Sequence, residues 1–209
     1  MSSNQFIVEA QETGKTTYLF NEIERLLKEG SGIIVMDSAT EHADKSLLRK
    51  VSSKYDNSCV IDLRDEKQVV LGNIDINDFI NNYKNYFPFN EIMNNRDKII
   101  CFDLSYFLER GHDAYDETGD MNLYRYYRGL YNALSEQIAL TIILMEREKL
   151  IRNCFVVMDE IEFPVTEYTI DQLEDGISFL ASVHPENAFG TFYESFSRLK
   201  FQKYQMRKE

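Results

Sequence analysis

Short apolar runs alternate along the chain with longer stretches whose apolar residues recur at helical spacing. The first run is Phe6-Ile7-Val8. A glycine-bearing turn follows, and then Leu19, Phe20, Ile23, Leu26 and Leu27, which share one helical face. Glu29-Gly30-Ser31-Gly32 supplies the glycines expected where a helix stops. Ile33-Ile34-Val35-Met36 is continuously apolar, as a strand covered on both faces is, and it ends at Asp37. Residues 42–54 read as a helix, Cys59-Val60-Ile61 and Gln68-Val69-Val70-Leu71 as short strands, and residues 75–95 as a helix with an irregular Asn-rich segment. The run from Lys98 to Phe102 ends in Asp103, and residues 111–120 read as an acidic loop. A long helix begins near Asn122, with a seam of Leu123, Tyr127, Leu130, Leu134, Ile138, Ile142 and Met145. The run from Asn153 to Met158 ends in Asp159-Glu160. A helix near 168–175, a run from Ile177 to Val183 and a terminal helix over 188–205 complete the pattern.

Strands alternating with helices predict an α/β fold, a mostly parallel sheet of about five strands flanked by helices on both faces. A length of 209 residues suits a single domain over 1–209, with about 55–150 as a candidate insertion. No internal repeat or linker interrupts it. Parallel sheets bind ligands at the carboxyl ends of their strands. The polar residues that end the runs are therefore the first candidates for a site: Glu9, Asp37, Asp103, Asp159, Glu160 and Ser182.

Composition narrows the function classes. The net charge of −12 argues against a general grip on nucleic acid, which needs a basic surface. The basic residues Lys200, Lys203, Arg207 and Lys208 read as a solvated helix end. The three cysteines, Cys59, Cys101 and Cys154, sit in apolar runs without metal-ligand spacing, which predicts buried free thiols in a reducing compartment. Met1-Ser2-Ser3-Asn4-Gln5 lacks the character of a secretory leader, and no apolar stretch approaches the ~20 residues of a membrane helix. A cytoplasmic protein with no membrane association is the expectation.

Gly14-Lys15-Thr16-Thr17 stands just after the first strand and opens the first helix. A helix N-terminus with free N–H groups, one cation and a hydroxyl is what a phosphate chain with Mg²⁺ requires. Here the chain resembles the P-loop NTPase superfamily. Glu9-Ala10-Gln11-Glu12-Thr13-Gly14-Lys15-Thr16 stands where that family has Gly-x-x-x-x-Gly-Lys-Ser/Thr. Phe155-Val156-Val157-Met158-Asp159-Glu160 resembles its Walker B strand. The resemblance implies that Thr13, Gly14, Lys15, Thr16 and Thr17 contact ATP or GTP, and that Lys15 serves catalysis by reaching the β- and γ-phosphates. It also implies that Thr16 and Asp159 hold Mg²⁺ and that Glu160 polarises the attacking water. Ser182, or His184 beyond it, takes the place of a γ-phosphate sensor. Hydrolysis coupled to a protein partner or a homo-oligomer is the function this implies.

Two alternatives stay open. Asp103 is placed to act as the base of a small-molecule or nucleoside phosphotransferase, with Arg125 and Arg128, three apart on one helix, as a phosphate clamp. A non-catalytic binding module is the other, because Glu9 replaces the first loop glycine and Glu12 adds a charge inside the loop. Asp113, Asp116, Glu117 and Asp120 lack the spacing of a calcium loop, and His42 and His112 lack that of a metal pair.

Overall fold

The computed structural model describes residues 5–8, 14–38, 46–61, 63, 76–151, 153–159, 178–183 and 202–204; for 5–8, 76, 178–179, 183 and 202–204 it describes the backbone alone. The strands are β1 (Gln5–Val8), β2 (Gly32–Asp37), β3 (Ser58–Ile61), β4 (Ile99–Asp103), β5 (Cys154–Asp159), β6 (Ser178–Val183) and β7 (Gln202–Tyr204). The helices are α1 (Lys15–Lys28), α2 (Leu47–Lys54), α3 (Ile76–Asn82), α4 (Phe87–Asn94), α5 (Ser105–Thr118) and α6 (Met121–Arg147). All strand pairs are parallel, in the order β3-β4-β2-β5-β6-β1-β7.

The α/β class is the expected one, and the sheet has seven strands where about five were expected. The short β3 and β7 form its two edges, where a strand needs only one partner. Gln202–Tyr204 is thus a strand beside β1, not the end of a terminal helix, since it pairs with the otherwise open side of β1. The expected strand over 68–71, the helix near 168–175 and the remainder of 188–205 lie outside the described residues.

The period of two in the central strands sorts their side chains into two cores. Ile34, Met36, Ile100, Phe102, Val156 and Met158 face the cluster that holds Leu130, Leu134 and Ile138 of α6. Ile33, Val35, Ile99, Cys101 and Val157 face the cluster that holds Leu19 and Ile23 of α1 and Leu47 and Val51 of α2. The direction of travel explains which helices go where. From β1 to β2 and on to β3 the chain moves towards one edge, through α1 and α2. From β3 to β4 and on to β5 it moves back, through α3 to α6. Crossovers of one hand place helices on opposite faces when the direction reverses.

The expected acidic loop at 111–120 is mostly helix. Residues 111–118 complete α5, whose buried side is Phe107, Leu108, Gly111 and Ala114 at spacings of one helical turn. The carboxylates fall on the opposite, solvated side, so they are compatible with a helix. Only the turn is irregular: Gly119 takes φ +66 and the Asp120 carboxylate accepts from the N–H groups of Asn122 and Leu123, capping α6.

α6 begins beyond the sheet. Its Tyr131 hydroxyl shares a 2.8 Å hydrogen bond with Ser38, the residue just past the carboxyl end of β2. The ten residues before Tyr131 therefore project past that edge by about 15 Å at 1.5 Å per residue. There α6 packs against α5, with Gly111 close to Tyr124 and Tyr127. The seam expected for α6 is buried from Tyr127 to Met145, whereas Leu123 is exposed on the projecting part.

Two outcomes test this packing. Ile138→Ala should lower unfolding free energy by about 2–5 kcal/mol in urea titrations, and Leu123→Ala by less than about 0.5 kcal/mol; equal effects would contradict the assignment of the core. Burial pushes the thiols of Cys101 and Cys154 up to about 12, with the nearby Asp37 carboxylate adding to the rise at Cys101. At pH 8 both stay protonated and unreactive, since attack needs the thiolate. A disulfide reagent at that pH should label the partly exposed Cys59 in the native chain, and the other two only after denaturation.

Candidate functional site at the carboxyl edge

Buried polar side chains of the described residues concentrate in one place. Lys15, Asp37, Ser38, Ser46, Asp159 and Ser182 are all buried at the carboxyl edge of the sheet or at the helix starts above it. The others, Ser135, Gln137 and Thr141, lie within α6.

Strand parity brings this group together. Asp159 follows Val157 by two residues, and Ser182 follows Leu180 by two, so both point to the face that α1 covers. They stand one residue beyond the parallel pair of Met158 and Ala181. The Ser182 hydroxyl donates to Asp159 Oδ1 at 2.5 Å. The Thr16 hydroxyl donates to Asp159 Oδ2 at 3.0 Å, across 143 residues of sequence. Asp159 is 1% exposed and Ser182 fully buried, so these donors supply what lost hydration no longer does.

The start of α1 has its own requirement. Gly14 is the residue before the helix and takes φ +89, a left-handed conformation that side-chain-bearing residues adopt at a cost. Lys15 is 5% exposed and lies on the stripe that continues through Leu19, Ile23 and Leu26. Its aliphatic stem therefore packs along the covered side of α1. Thr17 faces solvent, and its hydroxyl accepts from Lys50 Nζ of α2 at 3.2 Å.

Asp37 and Asp103 stand in register with Asp159 on neighbouring strands, giving three aspartates in a row along the edge. Each has a different task. Asp37 Oδ2 accepts from the N–H of Leu48 at 2.7 Å and ties down the start of α2. Asp103 Oδ1 accepts from the N–H and hydroxyl of Ser105, at 3.1 and 2.6 Å, and shapes the turn into α5. Asp159 receives side chains from both α1 and β6. Two further bonds close the edge: Ser38 N–H donates to Asp159 O at 3.3 Å and Leu104 N–H to Asp37 O at 2.9 Å.

Of the residues singled out in the sequence, Gly14, Lys15, Thr16 and Thr17 stand at the start of α1, and Thr16 and Ser182 each bond to Asp159. Arg125 and Arg128 lie on the projecting part of α6, and Asp103 is two strands from Asp159, about 10 Å at the usual strand spacing. Glu9, Glu12, Thr13, His42, Glu160 and His184 lie outside the described residues. Sequence reasoning missed Lys50, Ser38 and Tyr131. For Ser38 and Tyr131 no local signal exists, because their bond joins residues 93 apart.

The oxygens of Thr16 and Asp159 fit a magnesium ion in one respect. Both are hard oxygen donors of the kind a magnesium ion takes. Among the described residues, no group of three or more His, Cys, Asp or Glu side chains is arranged to hold a metal.

Fold and edge together define a parallel α/β protein with a buried polar site above β5 and β6. No known family model, characterised protein or solved structure matches the chain. None of its described helices is long and apolar enough to cross a membrane.

Stability reports on the site without any ligand. Ser182→Ala leaves the buried Asp159 with one fewer donor and should cost about 1–3 kcal/mol at neutral pH. Gly14→Ala should cost about 1–2 kcal/mol through its backbone angle. By contrast Gly129→Ala, within α6 where an added Cβ meets nothing, should stabilise the chain by up to about 1 kcal/mol. Urea midpoints that move together in all three variants would contradict these local assignments.

Proposed function

We propose that the chain binds ATP or GTP with Mg²⁺ and hydrolyses it, in the manner of the P-loop NTPases it resembles. The observation that carries this reading is the bond between Thr16 and Asp159. It joins the hydroxyl of the Gly-Lys-Thr segment to the carboxylate that ends the Walker B-like strand, two features that the sequence resemblance pairs.

The N–H groups at the start of α1 and the ammonium of Lys15 face the problem of concentrated phosphate charge. Oriented backbone dipoles and a desolvated cation stabilise that charge more than water does, because they need no reorganisation. Lys50, bonded to Thr17, adds a second cation at the same helix start. Thr16 and Asp159 would hold Mg²⁺, which would neutralise part of the charge on the bound phosphates. Ser182 fixes the orientation of Asp159 and borders the same space. Glu160, next in the chain after Asp159, is the general base of this reading and takes a proton from the attacking water.

The phosphotransferase reading has less support, since Asp103 Oδ1 is occupied by the turn into α5. Three free cysteines accord with a reducing, cytoplasmic setting. Coupling of turnover to a protein partner or a homo-oligomer belongs to this proposal as well.

Glu160→Gln should retain nucleotide and lose phosphate release by at least about a hundredfold, the usual scale of a general base. Lys15→Met, which keeps the buried stem, should lose both. Phosphate release that continues at the wild-type rate in Glu160→Gln would remove the assigned base.

A further inference from the structure

We propose that the tip of the α5–α6 hairpin is a docking surface for an arginine-bearing segment of another protein. Five large apolar side chains are exposed among the described residues, and four of them, Tyr115, Met121, Leu123 and Tyr126, fall at this tip. Val60, at a sheet edge, is the fifth. Single exposed apolar residues are ordinary on any surface, whereas their concentration on one projecting element marks a contact site.

Charge specifies the partner. Over residues 111–126 the exposed ionised side chains are Asp113, Asp116, Glu117 and Asp120 against Arg125. A second copy of the chain would bring the same carboxylates against each other, in a molecule already at −12. A basic segment relieves that repulsion and is steered towards the tip. The tyrosines favour arginine over lysine, because a planar guanidinium stacks on a ring while it pairs with a carboxylate. The hairpin displays this chemistry internally: the Arg110 guanidinium lies 5.6 Å from the centre of the Tyr127 ring.

The tip is also built before any partner arrives. Tyr124 packs against both His112 and Tyr115. The Thr118 hydroxyl donates to Ala114 O at 2.6 Å and Asp120 caps α6. A surface ordered in advance loses little conformational freedom on binding.

The test uses the full chain and a fluorescein-labelled peptide of twelve alternating arginines and leucines. Anisotropy titration should give saturable binding, weakened at least about tenfold by Asp116→Lys with Glu117→Lys, and severalfold by Tyr126→Ser. Asp56→Lys with Asp97→Lys changes the net charge equally at a distance from the tip and should weaken binding by less than about twofold. Thermal melts establish that each variant is folded. Absent binding, or equal weakening by the distant pair, would overturn the proposal. So would a wild-type dimer in sedimentation that Tyr126→Ser dissociates, since a second copy would then be the occupant.

Discussion

A carboxylate taken out of water must be given donors, and in this chain that demand falls on Asp159. Its two oxygens are met by hydroxyls from opposite ends of the sequence, Thr16 and Ser182. The main-chain oxygen of the same residue accepts from Ser38. Asp159 therefore gathers α1, β2, β5 and β6 at one point of the edge. Ser38 carries the connection onward to Tyr131 and so to the base of the projecting hairpin.

The sheet order makes that meeting possible. β5 and β6 are neighbours, and β1 lies on the far side of β6, so α1 must pass over β6 and β5 to reach β2. Its first residues consequently stand above the carboxyl ends of β5 and β6. The opposite run, through α5 and α6, covers the other face. Asp37 and Asp103 show how the remaining acids of the row are used: one anchors α2, the other forms a turn. The three aspartates make the middle of the edge polar, and side-chain bonds from two other elements meet at Asp159.

Much of this was legible in the sequence because it depends on local spacing. Continuous apolar runs named β2, β4 and β5, and the period of two within them fixes which strand-end residues share a face. Asp159 and Ser182 could be paired with α1 by counting from Val157 and Leu180. The acidic stretch after Gly111 misled because charge density was read as a loop, although Phe107, Leu108, Gly111 and Ala114 already spell a helical stripe. β7 was hidden for another reason. Three residues carry no periodicity, and their strand state is set by the open side of β1. The link between Ser38 and Tyr131, and that between Lys50 and Thr17, arise only when distant segments meet.

The most direct measurement is calorimetric titration of the full chain with ATP and with GTP, in the presence of Mg²⁺ and again with the cation chelated. The account predicts saturable binding of at least one nucleotide in the micromolar range. That affinity should fall at least about tenfold on chelation or in Thr16→Val, the scale of one lost charge-assisted contact of about 1.4 kcal/mol or more. Binding of neither nucleotide by the wild type, with the chain folded, would contradict it.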